Sequence, residues 1–164
     1  MLGVGKTGEI CLAGPQSICG YYKIGLDKQP LSETGCIRTG DLGYLDADGY
    51  LHLAGRIKDI IIRGGENIVP GEIALALAAL DGIADAYVCG VPDAMMGEKV
   101  AAAVIMKDGF SFDEAVVKKT LLHSLAKHKV PSYFVVYDAF PLLGNGKTDK
   151  VRLKKMIETD CRKE

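Results

Sequence analysis

Residues 55–70 read GRIKDIIIRGGENIVP, and the organisation of the chain changes within this stretch. The β-branched run 59–63 predicts a strand, because branched side chains favour an extended backbone. Gly64 and Gly65 end that run and predict a tight turn into a hairpin, since glycine reaches positive φ at little cost. Pro70 then predicts the start of a helix, because its fixed φ suits the first helical turn.

Before residue 58 the sequence predicts short strands and turns. The clearest unit is 41–53, in which Asp46-Ala47-Asp48-Gly49 separates two alternating runs and predicts a β-hairpin. Two strands are not stable on their own. We therefore expect residues 1–57 to be an incomplete β-rich piece, the tail of a larger subdomain whose other strands lie before Met1.

From residue 58 onward the pattern predicts alternating strands and amphipathic helices. Ser111 and Glu114 have the spacing of a capping box, which predicts the start of the second helix. The predicted elements are helix 70–80, strands 84–91 and 100–106, helix 111–127, strand 133–137 and helix 148–157. This order predicts an α+β domain over 58–164, with a small mixed sheet, a β-hairpin and about three helices.

Composition excludes several classes of function. The 164 residues carry 20 Lys and Arg against 21 Asp and Glu, so bulk charge does not predict nucleic-acid binding. No apolar run approaches the roughly 18 residues that a membrane span needs. The 5 cysteines are widely spaced and form no C-x-x-C pair, which favours the reduced thiols of a cytoplasmic protein. The three histidines have no ligand spacing, so no metal site is predicted.

Three segments carry possible chemistry, although each also has a plain structural interpretation. Asp41 follows a glycine and can accept two hydroxyl hydrogen bonds, as a ribose diol requires, or it can be a turn aspartate. Arg56 and Lys58 lie at the boundary between the two pieces, where a cation can reach a phosphate or simply face solvent. Gly144-Asn145-Gly146-Lys147 places an ammonium on a glycine-rich loop, suited to a carboxylate and a phosphoryl oxygen or typical of a polar loop.

In this order and spacing, the segments resemble the C-terminal portion of the AMP-forming acyl-CoA synthetases, members of the adenylate-forming superfamily. The resemblance covers nearly the whole chain, through 8–10, 20–22, 39–41, 55–59, 64–68 and 144–147. It implies a ligase that activates a carboxylic acid with ATP, giving acyl-AMP and pyrophosphate, and then passes the acyl group to CoA. Mg²⁺ is expected through ATP, with its protein ligands outside this chain.

The resemblance also implies a role for individual residues. Lys147 would be the catalytic residue of the adenylation step, bridging the acid and the nucleotide. Asp41 and Arg56 would bind the nucleotide, at the ribose hydroxyls and at ribose or phosphate. Lys58 would be the hinge between the two half-reactions. Gly64 and Gly65 would then replace the lysine and help to form the passage for the pantetheine arm of CoA.

By the same resemblance, residues 58–164 would be the C-terminal lid domain and 1–57 the tail of the N-terminal domain. The family's phosphate loop, adenine pocket and acid pocket belong to that N-terminal domain, a missing partner of this chain. We therefore expect the chain alone to be inactive, and we expect the side chains that select the acid to lie in that N-terminal domain. Ala74 departs from the family pattern, which places a second acidic residue after Glu72-Ile73.

Two alternatives stay open. The chain could come from a peptide-synthetase adenylation domain or a stand-alone aryl ligase that passes the acyl group to a carrier protein. The stretch 144–147 suits the peptide-synthetase type, whereas 61–68 resembles the CoA-ligase version. The other alternative is a non-catalytic module that keeps only the lid fold.

Overall fold

The computed structural model describes residues 2–23, 25 and 29–162. The chain divides into two compact units, Met1–Lys58 and Asp59–Glu164. This division falls one residue after the boundary predicted between 57 and 58. Among the described residues, no helix combines the length and the hydropathy needed to cross a bilayer.

The first unit contains an antiparallel sheet in the order β1-β2-β3. Its strands are β1 Gly8–Leu12, β2 Ile37–Leu45 and β3 Leu51–Arg56. The predicted hairpin connects β2 and β3 and is confirmed. Asp46 closes its turn, because its backbone N–H donates to the Tyr50 carbonyl at 3.0 Å and its Oδ1 accepts from the N–H of Asp48 and of Tyr50. Gly49 follows with a φ of +85°, which favours glycine.

The second unit contains a mixed sheet, as predicted. Its strands are β4 Ile61–Arg63, β5 Glu66–Ile68, β6 Ile83–Asp93, β7 Gly97–Met106 and β8 Tyr133–Val136. The order is β5-β4-β7-β6, all antiparallel, and β8 pairs with β7 in parallel. Because β6 pairs with β7 from Gly97 to Met106, β4 and β8 share the other edge of β7.

Three helices accompany this sheet: α1 Pro70–Ala78, α2 Glu114–Leu121 and α3 Lys150–Asp160. The predicted α+β class with three helices is confirmed. The predicted cap of α2 is wrong. The side chain of Asp113, not that of Ser111, accepts the Val116 N–H at 3.0 Å and starts the helix two residues later. The helix also ends at Leu121, before the predicted 127, and Leu125 enters the core from the following turns.

Strand β7 is buried on both faces, so the unit has two apolar cores. Val100, Ala102 and Val104 pack in the core that includes residues of α1 and α2. The alternate residues Ala101 and Ala103 pack in a second core with residues of α3. All five side chains are completely buried. Both helical layers are therefore fixed to one strand.

Candidate functional site

Asp41 and Arg56, both predicted to bind nucleotide, lie opposite each other in the register of β2 and β3. The Arg56 Nε donates to the Asp41 Oδ1 at 2.9 Å. The two side chains are 56% and 34% exposed, so the pair is accessible to solvent. A guanidinium has two further NH₂ groups and a carboxylate a second oxygen, so the pair retains hydrogen-bonding capacity for a ligand.

A glutamate from β1 fixes the chain just before Asp41. Glu9 accepts from the Arg38 Nε at 2.8 Å through one oxygen and from the Gly40 N–H at 3.2 Å through the other. Thr39 Oγ1 accepts the N–H of Asp41 at 3.0 Å, which adds a local bond. Glu9 lies in one of the stretches that carry the family resemblance, but no sequence pattern predicts its role, because its contacts span about thirty residues of sequence.

Most of the residues named above line one open cleft in the first unit. Its volume is about 380 Å³, and it is lined by Glu9, Arg38, Thr39, Gly40, Arg56, Ile57 and Lys58. Lys58, the predicted hinge residue, is exposed and is the last residue of this unit. Three cationic side chains line this cleft. Arg38 is paired with Glu9 and Arg56 with Asp41, but each guanidinium keeps further N–H groups, so the cleft can bind an anion.

Gly64 and Gly65 form the turn between β4 and β5, as predicted. Their φ values are +57° and +87°, in the region that favours glycine. The Gly64 N–H donates to the Met96 carbonyl at 2.8 Å, which ties the turn to the start of β7. A Cβ at Gly65 would have no heavy atom within 4 Å, so that side of the turn is open.

Lys147 lies in the loop between β8 and α3 and is exposed. The loop closes on itself, because the Leu143 N–H donates to the Lys147 carbonyl at 2.8 Å and the Gly146 N–H to the Leu143 carbonyl at 2.9 Å. Asn145 Oδ1 accepts the Lys147 N–H at 3.1 Å. The backbone at Lys147 is therefore fixed locally, and its ammonium extends into solvent.

The structure thus brings some of the predicted residues together and leaves others apart. Asp41 and Arg56 form a pair, and Arg56 and Lys58 line the same cleft. Within the parts of the chain that are described, no hydrogen bond or ion pair joins the Gly64–Gly65 turn to Lys147. Residues 2–23, 25 and 29–162 also contain no group of three His, Cys, Asp or Glu side chains placed to hold a metal ion.

Comparison with known proteins supports the predicted family resemblance. Residues 72–147 match the AMP-binding enzyme C-terminal domain. The predicted resemblance to the C-terminal portion of the AMP-forming acyl-CoA synthetases is thereby confirmed. The AMP-binding match begins in α1, after the Gly64–Gly65 turn, and its last residue is Lys147.

Full-length relatives of this AMP-binding domain are about three times longer. The sulfoacetate–CoA ligase of Cupriavidus necator is 39% identical over 150 residues, which are 91% of this chain and 30% of that protein. The crystal structure of ATP-bound MatB from Rhodopseudomonas palustris is similar, with a TM-score of 0.86 and 37% identity over 96% of this chain and 31% of that one. The amide bond synthetase McbA from Marinactinospora thermotolerans has a TM-score of 0.85 and 33% identity over 94% and 32%. The chain thus spans about 30% of the relatives that it matches.

Proposed function

We propose that this chain acts as the C-terminal portion of an ATP-dependent acid–thiol ligase, which converts a carboxylic acid into acyl-AMP and transfers the acyl group to CoA. The observation that carries the proposal is the 39% identity to a CoA ligase over 91% of the chain. The site geometry supports it, because the predicted groups are accessible to a substrate: Asp41 is partly exposed, and the others are exposed. The reaction then requires an N-terminal domain with the phosphate loop and the acid pocket.

The Asp41–Arg56 pair would hold the nucleotide in both half-reactions, as ATP in the first and as the AMP part of acyl-AMP in the second. The ribose hydroxyls would donate to the Asp41 carboxylate, which its 2.9 Å contact with Arg56 keeps in place. The remaining Arg56 N–H groups would donate to ribose or phosphate oxygens. Mg²⁺ would arrive with the ATP phosphates and be held by the N-terminal domain. We expect this chemistry in the cytoplasm, since Cys11, Cys19 and Cys36 are thiols without disulfides.

Lys147 would act in the adenylation step. An oxygen of the substrate carboxylate attacks the α-phosphorus of ATP, and the bond to pyrophosphate breaks. Both reactants are anions, so their approach is opposed by charge repulsion. An ammonium that contacts both lowers this barrier and aligns the attacking oxygen. The exposed position of Lys147 leaves its ammonium available for such contacts.

The Gly64–Gly65 turn would act in the thioester step. The CoA thiol loses its proton to water, its sulfur attacks the acyl carbon, and AMP leaves with the electrons of the broken carbon–oxygen bond. The open space beside Gly65 supports a passage for the pantetheine arm, because a side chain there would narrow it. Lys58 would be the hinge that lets the second unit present first the lysine and then the glycine turn.

The acceptor is the less constrained part of the proposal. McbA is named an amide bond synthetase, yet its fold matches this chain with a TM-score of 0.85. An amine or a carrier-protein thiol therefore remains the second candidate for the acceptor. Measuring the formation of the CoA thioester distinguishes CoA from these other acceptors.

A chimera tests the proposed function. Residues 1–164 replace the matching segment of the C. necator sulfoacetate–CoA ligase, and pyrophosphate release and sulfoacetyl-CoA formation are measured. We expect both activities, and neither in the relative truncated before that segment. A folded chimera that forms no adenylate would overturn the proposal, whereas adenylate without the CoA thioester would overturn the choice of CoA. The isolated chain should show no ATP–pyrophosphate exchange.

A further inference from the structure

Strand β4 and the glycine that follows it have two backbone donors that point away from β5. In an antiparallel pair, successive N–H groups point to opposite edges. Arg63 pairs with Glu66 across the two-residue turn, so the N–H groups of Ile62 and Gly64 point toward the edge shared with β7. The Gly64 N–H finds a backbone acceptor, the Met96 carbonyl at 2.8 Å.

The Ile62 N–H finds a side chain instead. It donates to Oε2 of Glu98 at 2.8 Å, although the two residues lie 36 positions apart. Glu98 is the second residue of β7, next to Gly97, which pairs with Arg63. The carboxylate therefore takes the place that a neighbouring strand's carbonyl would occupy.

The opposite strand leaves room for this carboxylate. A Cβ built on Gly90 of β6 would lie 2.7 Å from the Cδ and from the Oε1 of Glu98. Any side chain at position 90 would thus push the carboxylate away. The φ of Gly90 is not positive, so the backbone conformation does not require glycine at this position. The glycine instead leaves space for the Glu98 carboxylate.

We propose that Glu98 is a positioning residue for acyl transfer to the thiol: through the N–H of Ile62 it holds β4, and with it the Gly64–Gly65 turn, in a fixed position beside β7. The inference rests on the proposed function, in which this turn forms the pantetheine passage. Glu98 itself contacts no substrate. It should therefore affect the thioester step and leave adenylation, which uses Lys147, unchanged.

Three variants test whether the position of the Glu98 carboxylate, its charge or the general stability of the fold is responsible for an effect. Glu98→Ala removes the acceptor, and Glu98→Gln keeps an acceptor oxygen without the charge. Gly90→Ala keeps the charge and displaces the carboxylate. Glu114→Ala is the matched control, because it removes a surface carboxylate that pairs with Lys118 on α2, away from the turn.

The experiment measures both half-reactions in the chimera and amide hydrogen exchange in the 164-residue chain. With Glu98→Ala and Gly90→Ala, we expect thioester formation from supplied acyl-adenylate to fall about tenfold and adenylation to stay within about twofold. Exchange at Ile62 and Gly64 should become faster in the same two variants. Glu98→Gln and Glu114→Ala should resemble the unsubstituted protein in both measurements.

Specific results would overturn the inference. Equal losses in both half-reactions would indicate general destabilisation, and an unchanged thioester step with faster exchange would show that the anchor has no part in acyl transfer. A Glu98→Gln variant as impaired as Glu98→Ala would make charge, not position, the cause. Failure of the proposed function looks different, since the unsubstituted chimera would then form no acyl-CoA. Unchanged exchange at Ile62 in Glu98→Ala would still reject the anchor in that case.

Discussion

The two loops that the proposal assigns to the two half-reactions are built in opposite ways. The Lys147 loop is closed by its own backbone and by Asn145, and its functional group is a long side chain in solvent. The Gly64–Gly65 turn has no side chain of its own and is tied to the neighbouring strand through Met96 and Glu98.

This difference follows from what each loop would have to do. An ammonium on a flexible four-carbon stem can adjust its position to a substrate, so a locally closed loop is sufficient. A passage formed by backbone cannot adjust in this way, because its shape is the position of the chain itself. Long-range anchors are therefore expected at the glycine turn and not at the lysine.

Removing the ammonium should give the largest effect. Lys147→Ala in the chimera should lower adenylation by about 10²-fold and leave thioester formation from supplied acyl-adenylate nearly unchanged, because only the first step joins two anions. Both rates can be measured separately, with Lys150→Ala as the control for loss of a nearby exposed lysine. Equal losses in both steps would contradict the assignment of the two loops to different steps.

A methyl group on the glycine turn should give the next largest effect. Gly65→Ala places a side chain at a φ of +87° and should lower the thioester step by about fivefold to tenfold, since it both strains and narrows the turn. Gly109→Ala is a close match, because Gly109 has a φ of +81° and its Cβ would also have no neighbour within 4 Å. Thermal unfolding should shift similarly in the two variants. A similar loss of thioester activity in both would show that strain alone is responsible.

A substitution in the Asp41–Arg56 pair should weaken nucleotide binding and should not change which loop acts in each half-reaction. Asp41→Ala removes the carboxylate and should raise the KM for ATP by about fivefold, because two hydroxyl hydrogen bonds lose their acceptor. Steady-state kinetics of pyrophosphate release measure this change. Asp48→Ala, in the exposed β2–β3 turn, is the control. An unchanged KM would show that the ribose hydroxyls lie elsewhere.

The smallest effect should come from loosening the lysine loop. Asn145→Ala removes the acceptor of the Lys147 N–H and should lower adenylation by about threefold, because the ammonium then starts from a less ordered backbone. The thioester step should not change. A loss as large as that of Lys147→Ala would mean that Asn145 itself meets the substrate.

Local sequence patterns predicted the parts of the fold that depend on local contacts. The hairpin at Asp46–Gly49 and the Gly64–Gly65 turn follow from residues that accept unusual backbone angles within the turn itself. The same approach misplaced the start of α2, since Ser111 and Asp113 are both possible caps. Only the structure shows that the Asp113 carboxylate meets the Val116 N–H.

The contacts that fix the candidate site were not predictable in this way. Glu9 reaches Arg38 and Gly40 from another strand, and Glu98 reaches Ile62 across 36 positions. Such contacts depend on strand order and register, which the spacing of residues within one element does not determine. The sequence did suggest an accessible Lys147, and the structure has it exposed. The roles of Lys147, Asp41, Arg56, Lys58 and the two glycines stay predictions.

Substituting the buried alanines of β7 should change the position of one loop without replacing any residue in that loop. Ala102 packs in the core of α1, the helix that leaves the glycine hairpin, whereas Ala101 and Ala103 pack in the core of α3, the helix that leaves the lysine loop. None of the three has room for a larger side chain without displacing a neighbour. Substitutions at neighbouring positions of one strand should therefore affect different loops, position 102 the glycine hairpin and positions 101 and 103 the lysine loop.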